Sequence, residues 1–234
     1  MRFWGTSLLL LAVVSCEESI RPQSVETPAG GSVQGTVRLA EGIELEPTHI
    51  RNTTDPEICG QGHTLEDLLV SDTRGLANVI VSVHGVPVPV PVPVPETLTL
   101  DNVECRFEPH AAAITAGSTI EAKNSDAVLH TTHLYGPTEI NFSLPIEGAK
   151  GSRTLDEPGM YVVKCDVHGW MQAFIRVDAH PFHAVTDSDG RFRIEGLPPG
   201  NYTLELWHEK LGPLERELHI DEPTSTSVEI EYTP

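Results

Sequence analysis

Basic residues, cysteines and long apolar runs are all scarce in this 234-residue chain. Lysine and arginine total 15 against 34 acidic residues, a formal net charge of −19. It becomes −20 once the first sixteen residues, whose one charged side chain is Arg2, are removed. Such a surface repels nucleic acid and anionic membrane and favours basic partners, or serves solubility alone. No apolar run beyond the first sixteen residues approaches the length of a bilayer-spanning helix, so the body does not read as helically membrane-spanning. No long helical periodicity follows either, and no paired carboxylates or nucleophile–base set stand at a meaningful spacing, which argues against an enzyme. What remains is enough chain and apolar content for two modest domains.

Residues 1–16 set Arg2 before the apolar Leu8 to Val14 and end in Val13-Val14-Ser15-Cys16. This resembles a bacterial lipoprotein signal peptide, in which Cys16 becomes the lipidated N-terminus. The expectation is export: a periplasmic or outer-membrane-associated lipoprotein of a Gram-negative bacterium, touching membrane only through its anchor. Residues 17–31, rich in Glu, Ser, Pro and Gly, read as a disordered tether.

Ser32 to Leu39 alternates Val33, Gly35, Val37 and Leu39, and Asn78 to His84 alternates Val79, Val81 and Val83; both predict strands. Five Val-Pro repeats from Val86 to Pro95 remove every second N–H donor, so this run reads as an extended polyproline segment of about 31 Å within a linker of residues 86–97. From Leu98 short β-rich runs alternate with turns, and after Ala179 strand–turn–strand patterns run to Tyr232. Asp187-Ser-Asp189-Gly190 resembles the start of a calcium loop but lacks the later ligands, and reads as a β-turn. The fold class is all-β.

The densest chemistry lies in Tyr161 to Val177. Cys165, His168 and Met171 place a thiolate, an imidazole and a thioether within seven residues. These soft ligands select copper, and Cys/His with a weak Met reads as an electron-transfer centre. With Cys16 assigned to lipid, Cys59, Cys105 and Cys165 remain, and sequence permits three pairings. A copper thiolate cannot also be a structural disulfide, which selects Cys59–Cys105.

Phe107-Glu-Pro109, Ala116-Gly117, Asn124-Ser125-Asp126, His130 and Cys165-Asp-Val-His168-Gly-Trp-Met171 together resemble a cupredoxin, the blue-copper Greek-key β-sandwich of plastocyanin and amicyanin. The two-residue gaps in CxxHxxM and the pair His130-Thr-Thr-His133 are most similar to amicyanin. The resemblance covers residues 98–178. It implies one type 1 copper held by His130, Cys165 and His168 with Met171 as weak axial ligand, and His168 near the surface in an apolar patch that passes the electron. His133 competes with His130, but residues three apart on a strand face opposite ways. His180, His183 and His208 offer an alternative second metal site, copper or zinc, near the domain junction.

The implied function is single-electron transport with a redox protein such as a c-type cytochrome or a periplasmic dehydrogenase. The alternatives are a periplasmic copper carrier or sensor, and a surface binding module with a structural copper site.

Gly35-Thr-Val37 and Leu76 to Gly85, together with Val185 to Ile194 and Gly196-Leu-Pro-Pro-Gly-Asn-Tyr-Thr-Leu, resemble the carboxypeptidase regulatory-like domain, a transthyretin-type (prealbumin-like) β-sandwich. Its halves are residues 32–85 and 179–234, so the cupredoxin-like domain is expected to be inserted into it. Hybrids of this kind resemble exported proteins named methylamine-utilisation-like.

Overall fold

Alternation of buried and exposed side chains along Gly31–Leu39, where Val33, Val37 and Leu39 point inward, makes this strand the spine of the first sheet. It pairs antiparallel with Arg191–Leu197 and parallel with Ser225–Tyr232. Gly35 has to be a glycine here, since a Cβ would lie 2.6 Å from the Val228 carbonyl and 2.7 Å from the Phe192 ring. A second sheet, in the order His183–Val185, Ile80–His84, Gly200–His208 and Gly212–Ile220, faces it. Between them lies a core that includes Val81, Val83, Phe192, Leu204, Leu206 and Tyr232. This sandwich thus takes two strands from before residue 85 and five from after residue 182.

The intervening chain forms its own sandwich, with its own core of residues such as Leu100, Phe107, Ile120, Leu134, Tyr161 and Ile175. One sheet runs Ile140–Leu144, His130–Tyr135, Gly159–Lys164, Gln172–Asp178 and Ala111–Thr115. The other runs Lys150–Leu155, Ser118–Asn124, Thr97–Val103 and Arg106–Glu108. The protein is all-β, as its alternation predicts. The computed structural model describes residues 1, 30–87, 90, 95–221 and 224–233. The signal-like segment with Cys16, nearly all of the tether and most of the Val-Pro run lie outside the described residues. Among the described residues no helix is long and apolar enough to cross a membrane.

Ile80–His84 shows how the two sandwiches meet. Four of its five residues are buried, which a strand at a sheet face exposed to water does not need. Val81 and Val83 fill the accessory core, while Ile80 packs with Ala111 and Phe174 of the cupredoxin-like sandwich and Ser82 donates to Asp178 Oδ2 at 2.7 Å. Trp207 adds a ring 4.7 Å from that of Phe174. Arg176 Nε donates to Asp178 Oδ1 at 2.8 Å and its Nη1 to Glu205 Oε1 at 3.1 Å, crossing the junction. The Asp187–Gly190 segment is a turn, in which Asp187 Oδ1 accepts from the N–H groups of Asp189 and Arg191.

One segment belongs elsewhere than its sequence position suggests. Residues 49–64, expected in the accessory sandwich, form a two-stranded ribbon, His49–Arg51 with Gly62–Thr64, around a short helix Pro56–Cys59. Cys59 joins the cupredoxin-like core and is bonded to Cys105; among the described residues Cys165 is the free cysteine, and it is buried. The ribbon is therefore a strap laid across the inserted sandwich, held by a cross-link spanning 46 residues, which stabilises by about 4 kcal/mol through loop-closure entropy.

The junction yields a prediction. Asp178 is buried and partners both Arg176 and Ser82, so Asp178→Ala leaves the buried Ser82 hydroxyl without its acceptor and Arg176 with Glu205 as its remaining carboxylate, and lowers stability by about 2 kcal/mol. Arg191→Ala, which removes an exposed pair with Asp189, leaves stability nearly unchanged. Denaturant unfolding of the two variants against the parent checks the difference; equal midpoints would show that the junction pair contributes nothing.

Candidate metal centre

Strand register brings the ligands together. Gly159–Lys164 runs antiparallel to His130–Tyr135, with Lys164 opposite His133, so Cys165 emerges beside the start of that strand. There the Thr131 N–H points at Cys165 Sγ at 3.4 Å, and the His168 N–H approaches the same sulfur at 3.4 Å from the loop. The loop itself is closed by Met171 N–H to His168 O at 2.9 Å.

His130 Nδ1, His168 Nδ1 and Cys165 Sγ form a triangle with edges of 3.8, 3.8 and 3.0 Å. The point equidistant from all three lies about 2.1 Å from each, within the range at which imidazole nitrogen and thiolate sulfur hold a first-row ion. Both histidines are 0% exposed, Cys165 is 3% and Met171 2%. The two nitrogens that face each other are fixed by what lies behind them. His130 Nε2 is 2.9 Å from Asp126 Oδ2, and His168 Nε2 is 3.0 Å from Asp55 Oδ2. A carboxylate at Nε2 places the proton there and leaves Nδ1 as a bare lone pair. The donor set of two such imidazoles and a thiol, with Met171 buried three residues after His168, fits copper.

Asp126 is itself held. It accepts from the backbone N–H of Glu104 at 2.8 Å and of Cys105 at 2.9 Å, two successive residues at positive φ (51° and 55°) whose N–H groups converge on the carboxylate. Asn124, fully buried, accepts the Asp126 N–H and donates to the carbonyls of Val128 and Leu144, fixing the turn ahead of His130. Burial lowers the His130 pKa and the adjacent His168 adds to this, while Asp126 opposes; the net shift is downward, favouring the neutral, metal-binding imidazole.

His133 points away, as strand alternation requires. It lies among Asp166, Glu139, Tyr135 and Asn141 near the surface, with Nδ1 3.1 Å from Asp166 Oδ1 and Nε2 3.0 Å from Glu139 Oε1. Burial works to lower its pKa, but the two carboxylates outweigh it and hold it above the usual imidazole value. His180, His183 and His208 are separately engaged: His180 accepts from Phe182 N–H, His183 pairs with Thr115 Oγ1, and His208 accepts from Lys210 N–H. Among the described residues, the tight groups of three metal-donor side chains are His130–Cys165–His168 and Cys105–Asp126–His130, and neither includes them. In the second group Cys105 is already spent in its disulfide.

One expectation is overturned. His168 is not near the surface in an apolar patch, because the strap covers it and Asp55 closes its outer nitrogen. The ring edge that leads outward is Trp170, 5.1 Å from the His168 ring and stacked 5.4 Å from His63 of the strap, with its Nε1 donating to Cys105 O at 3.0 Å. Trp170, His63, Phe107 and Met171 line a cavity of about 500 Å³. Asp55, Asp126 and the Trp170–His63 stack are absent from the sequence reading. Asp126 was visible as part of a motif but not as a ligand's partner, and nothing in linear spacing ties Asp55 to a histidine 113 residues away.

Among solved structures similar to the chain are the copper-containing nitrite reductase from Thermus scotoductus SA-01 (29% identity, TM-score 0.33, 39% of this chain and 25% of that one). A variant of amicyanin in its Cu(I) state is 21% identical, with TM-score 0.32, over 35% of this chain and 82% of that one. The purple cupredoxin from Nitrosopumilus maritimus is 21% identical, with TM-score 0.30, over 36% of this chain and 99% of that one. The chain thus spans about a quarter of the reductase's length. No curated protein sequence matches the chain. Residues 171–233 match the family model of the carboxypeptidase regulatory-like domain, although the first of them, through Asp178, pair within the inserted sheet.

Proposed function

We propose that the protein is an exported type 1 copper protein that carries single electrons between redox partners. The observation that supports this best is the pair of Nδ1 lone pairs 3.0 Å apart beside a buried sulfur, an arrangement that a bound cation relieves. Copper in this donor set supplies a one-electron couple between Cu(I) and Cu(II). His130, Cys165 and His168 would hold it, with Met171, buried on the same loop, as a further weak donor, and complete burial of both imidazoles keeps water from the site. Because the ligands are anchored by carboxylates and backbone N–H groups, they move little when the charge changes, which keeps reorganisation small.

Electrons enter and leave past Trp170, the partly exposed ring nearest His168. A chain with 34 acidic and 15 basic residues suits a partner with a basic docking face, such as a c-type cytochrome or a periplasmic dehydrogenase. Export and attachment through lipidated Cys16 follow from the N-terminal sequence alone, and place the protein in the periplasm or at the outer membrane of a Gram-negative bacterium.

Three outcomes are expected. The copper-loaded protein has an intense visible charge-transfer band, and Cys165→Ser or His168→Ala abolishes it; a colourless parent ends the type 1 assignment. His130→Ala also removes the band while His133→Ala leaves it, as read from optical and spin-resonance spectra, and the reverse pattern would exchange the two ligands. Metabolic labelling with a radioactive fatty acid marks the full-length chain expressed in a Gram-negative host and fails to mark Cys16→Ser; equal labelling of both would remove the lipoprotein reading.

A further inference from the structure

We infer that Asp55 is a positioning residue of the copper centre, presented by the disulfide-held strap, whose carboxylate fixes His168 and shifts the couple toward Cu(II). The inference rests on the copper reading and extends it to a residue from the other sandwich's half of the sequence.

Asp55 stands at the N-cap of Pro56–Cys59, where an aspartate ordinarily turns its carboxylate onto the first N–H groups of the helix. It makes no such side-chain bond. Its main chain sits in the left-handed region at φ 47°, ψ 47°, a conformation that costs about 1 kcal/mol in a residue with a Cβ. Foregoing the cap and accepting that backbone, the carboxylate instead reaches His168 Nε2 at 3.0 Å.

The strap is built to hold it there. Asn52, buried, donates from Nδ2 to Gly60 O at 2.8 Å and accepts the Thr54 N–H at 3.0 Å, closing the loop on both sides of Asp55. The Asp55 carbonyl accepts from the N–H groups of Ile58 and Cys59. Cys59 is then bonded to Cys105, whose own N–H holds Asp126, the carboxylate behind His130. One disulfide thus lies between the two carboxylates that back the two imidazoles.

The chemistry follows from charge. An imidazole whose outer N–H donates to an anion is a stronger donor at its other nitrogen, and it stabilises the more highly charged metal state preferentially. Neutralising that anion weakens the hold on Cu(II) relative to Cu(I). A loss of about tenfold, the lower end of what outer hydrogen-bond partners contribute, raises a one-electron midpoint by about 59 mV.

The test uses full-length protein loaded with copper. Asn tolerates the left-handed backbone as Asp does, so Asp55→Asn removes the charge with least disturbance. The expected result is a retained charge-transfer band, a midpoint raised by about 59 mV in a redox titration, and Cu(II) affinity about tenfold weaker with Cu(I) affinity unchanged in chelator competition. In the Cu(I) parent, nitrogen-15 NMR is expected to show a slowly exchanging Nε2–H on His168, a readout independent of any variant's folding. An Asp55→Asn protein with its band intact and its midpoint unmoved overturns the inference while leaving the copper reading standing. So does a His168 Nε2–H in the parent that exchanges as fast as that of an exposed histidine. A parent that takes up copper without the band defeats the copper reading and this inference together.

Discussion

Two imidazole nitrogens face each other at 3.0 Å beside a buried thiol, and the surrounding structure depends on holding them so. Left to themselves, such groups protonate or rotate apart, since each lone pair has lost its water. Here rotation is opposed, because a carboxylate stands behind each ring and holds it by the proton at Nε2. Around this constraint lie the strand register that sets Cys165 beside Thr131, the Asn124 turn that aims Asp126, and the strap that brings Asp55. Each supplies a contact that the inserted sandwich's hydrophobic core cannot make.

The same dependence explains why one sandwich sits inside the other. An insertion joined by two flexible crossings would hold its site no better than an isolated domain. Instead the junction is packed with Ile80, Phe174 and Trp207 and cross-braced by Arg176, Asp178, Ser82 and Glu205. The accessory half also contributes the strap, so the segment that covers His168 runs between two strands of the accessory sandwich, Gly31–Leu39 and Ile80–His84.

What was legible in the sequence was what is local or periodic. Alternation at Val33, Val37 and Leu39 predicts the spine strand, and the Cys165–His168–Met171 spacing places three candidate ligands on one loop. Strand alternation allowed only one of His130 and His133 to face the site and the resemblance to cupredoxins chose His130; the two do face opposite ways. Asp55 was not legible, because its role depends on a contact 113 residues away and on a left-handed backbone that no pattern of side chains announces. The placement of Cys59 was hidden for the same reason: pairing it with Cys105 follows from cysteine chemistry, but that it carries a strap across the other sandwich does not. The surface position expected of His168 failed because a resemblance describes the inserted unit without the segment that its host lays over it.

That covering bears on the choice between carrying electrons and delivering metal. Handing copper to an acceptor proceeds by ligand exchange, in which an incoming donor reaches the ion as one imidazole or the thiolate lets go. His130 and His168 are 0% exposed, their outer nitrogens are tied to carboxylates, and the strap over His168 is itself cross-linked to the core. Exchange therefore requires the strap to lift, which the disulfide opposes. Electron movement needs no such opening: it requires overlap through packed groups, and His168, Trp170 and His63 stand in succession with ring centroids 5.1 and 5.4 Å apart up to the wall of a cavity. A site closed to ligands and open to electrons is suited to holding one ion through many turnovers.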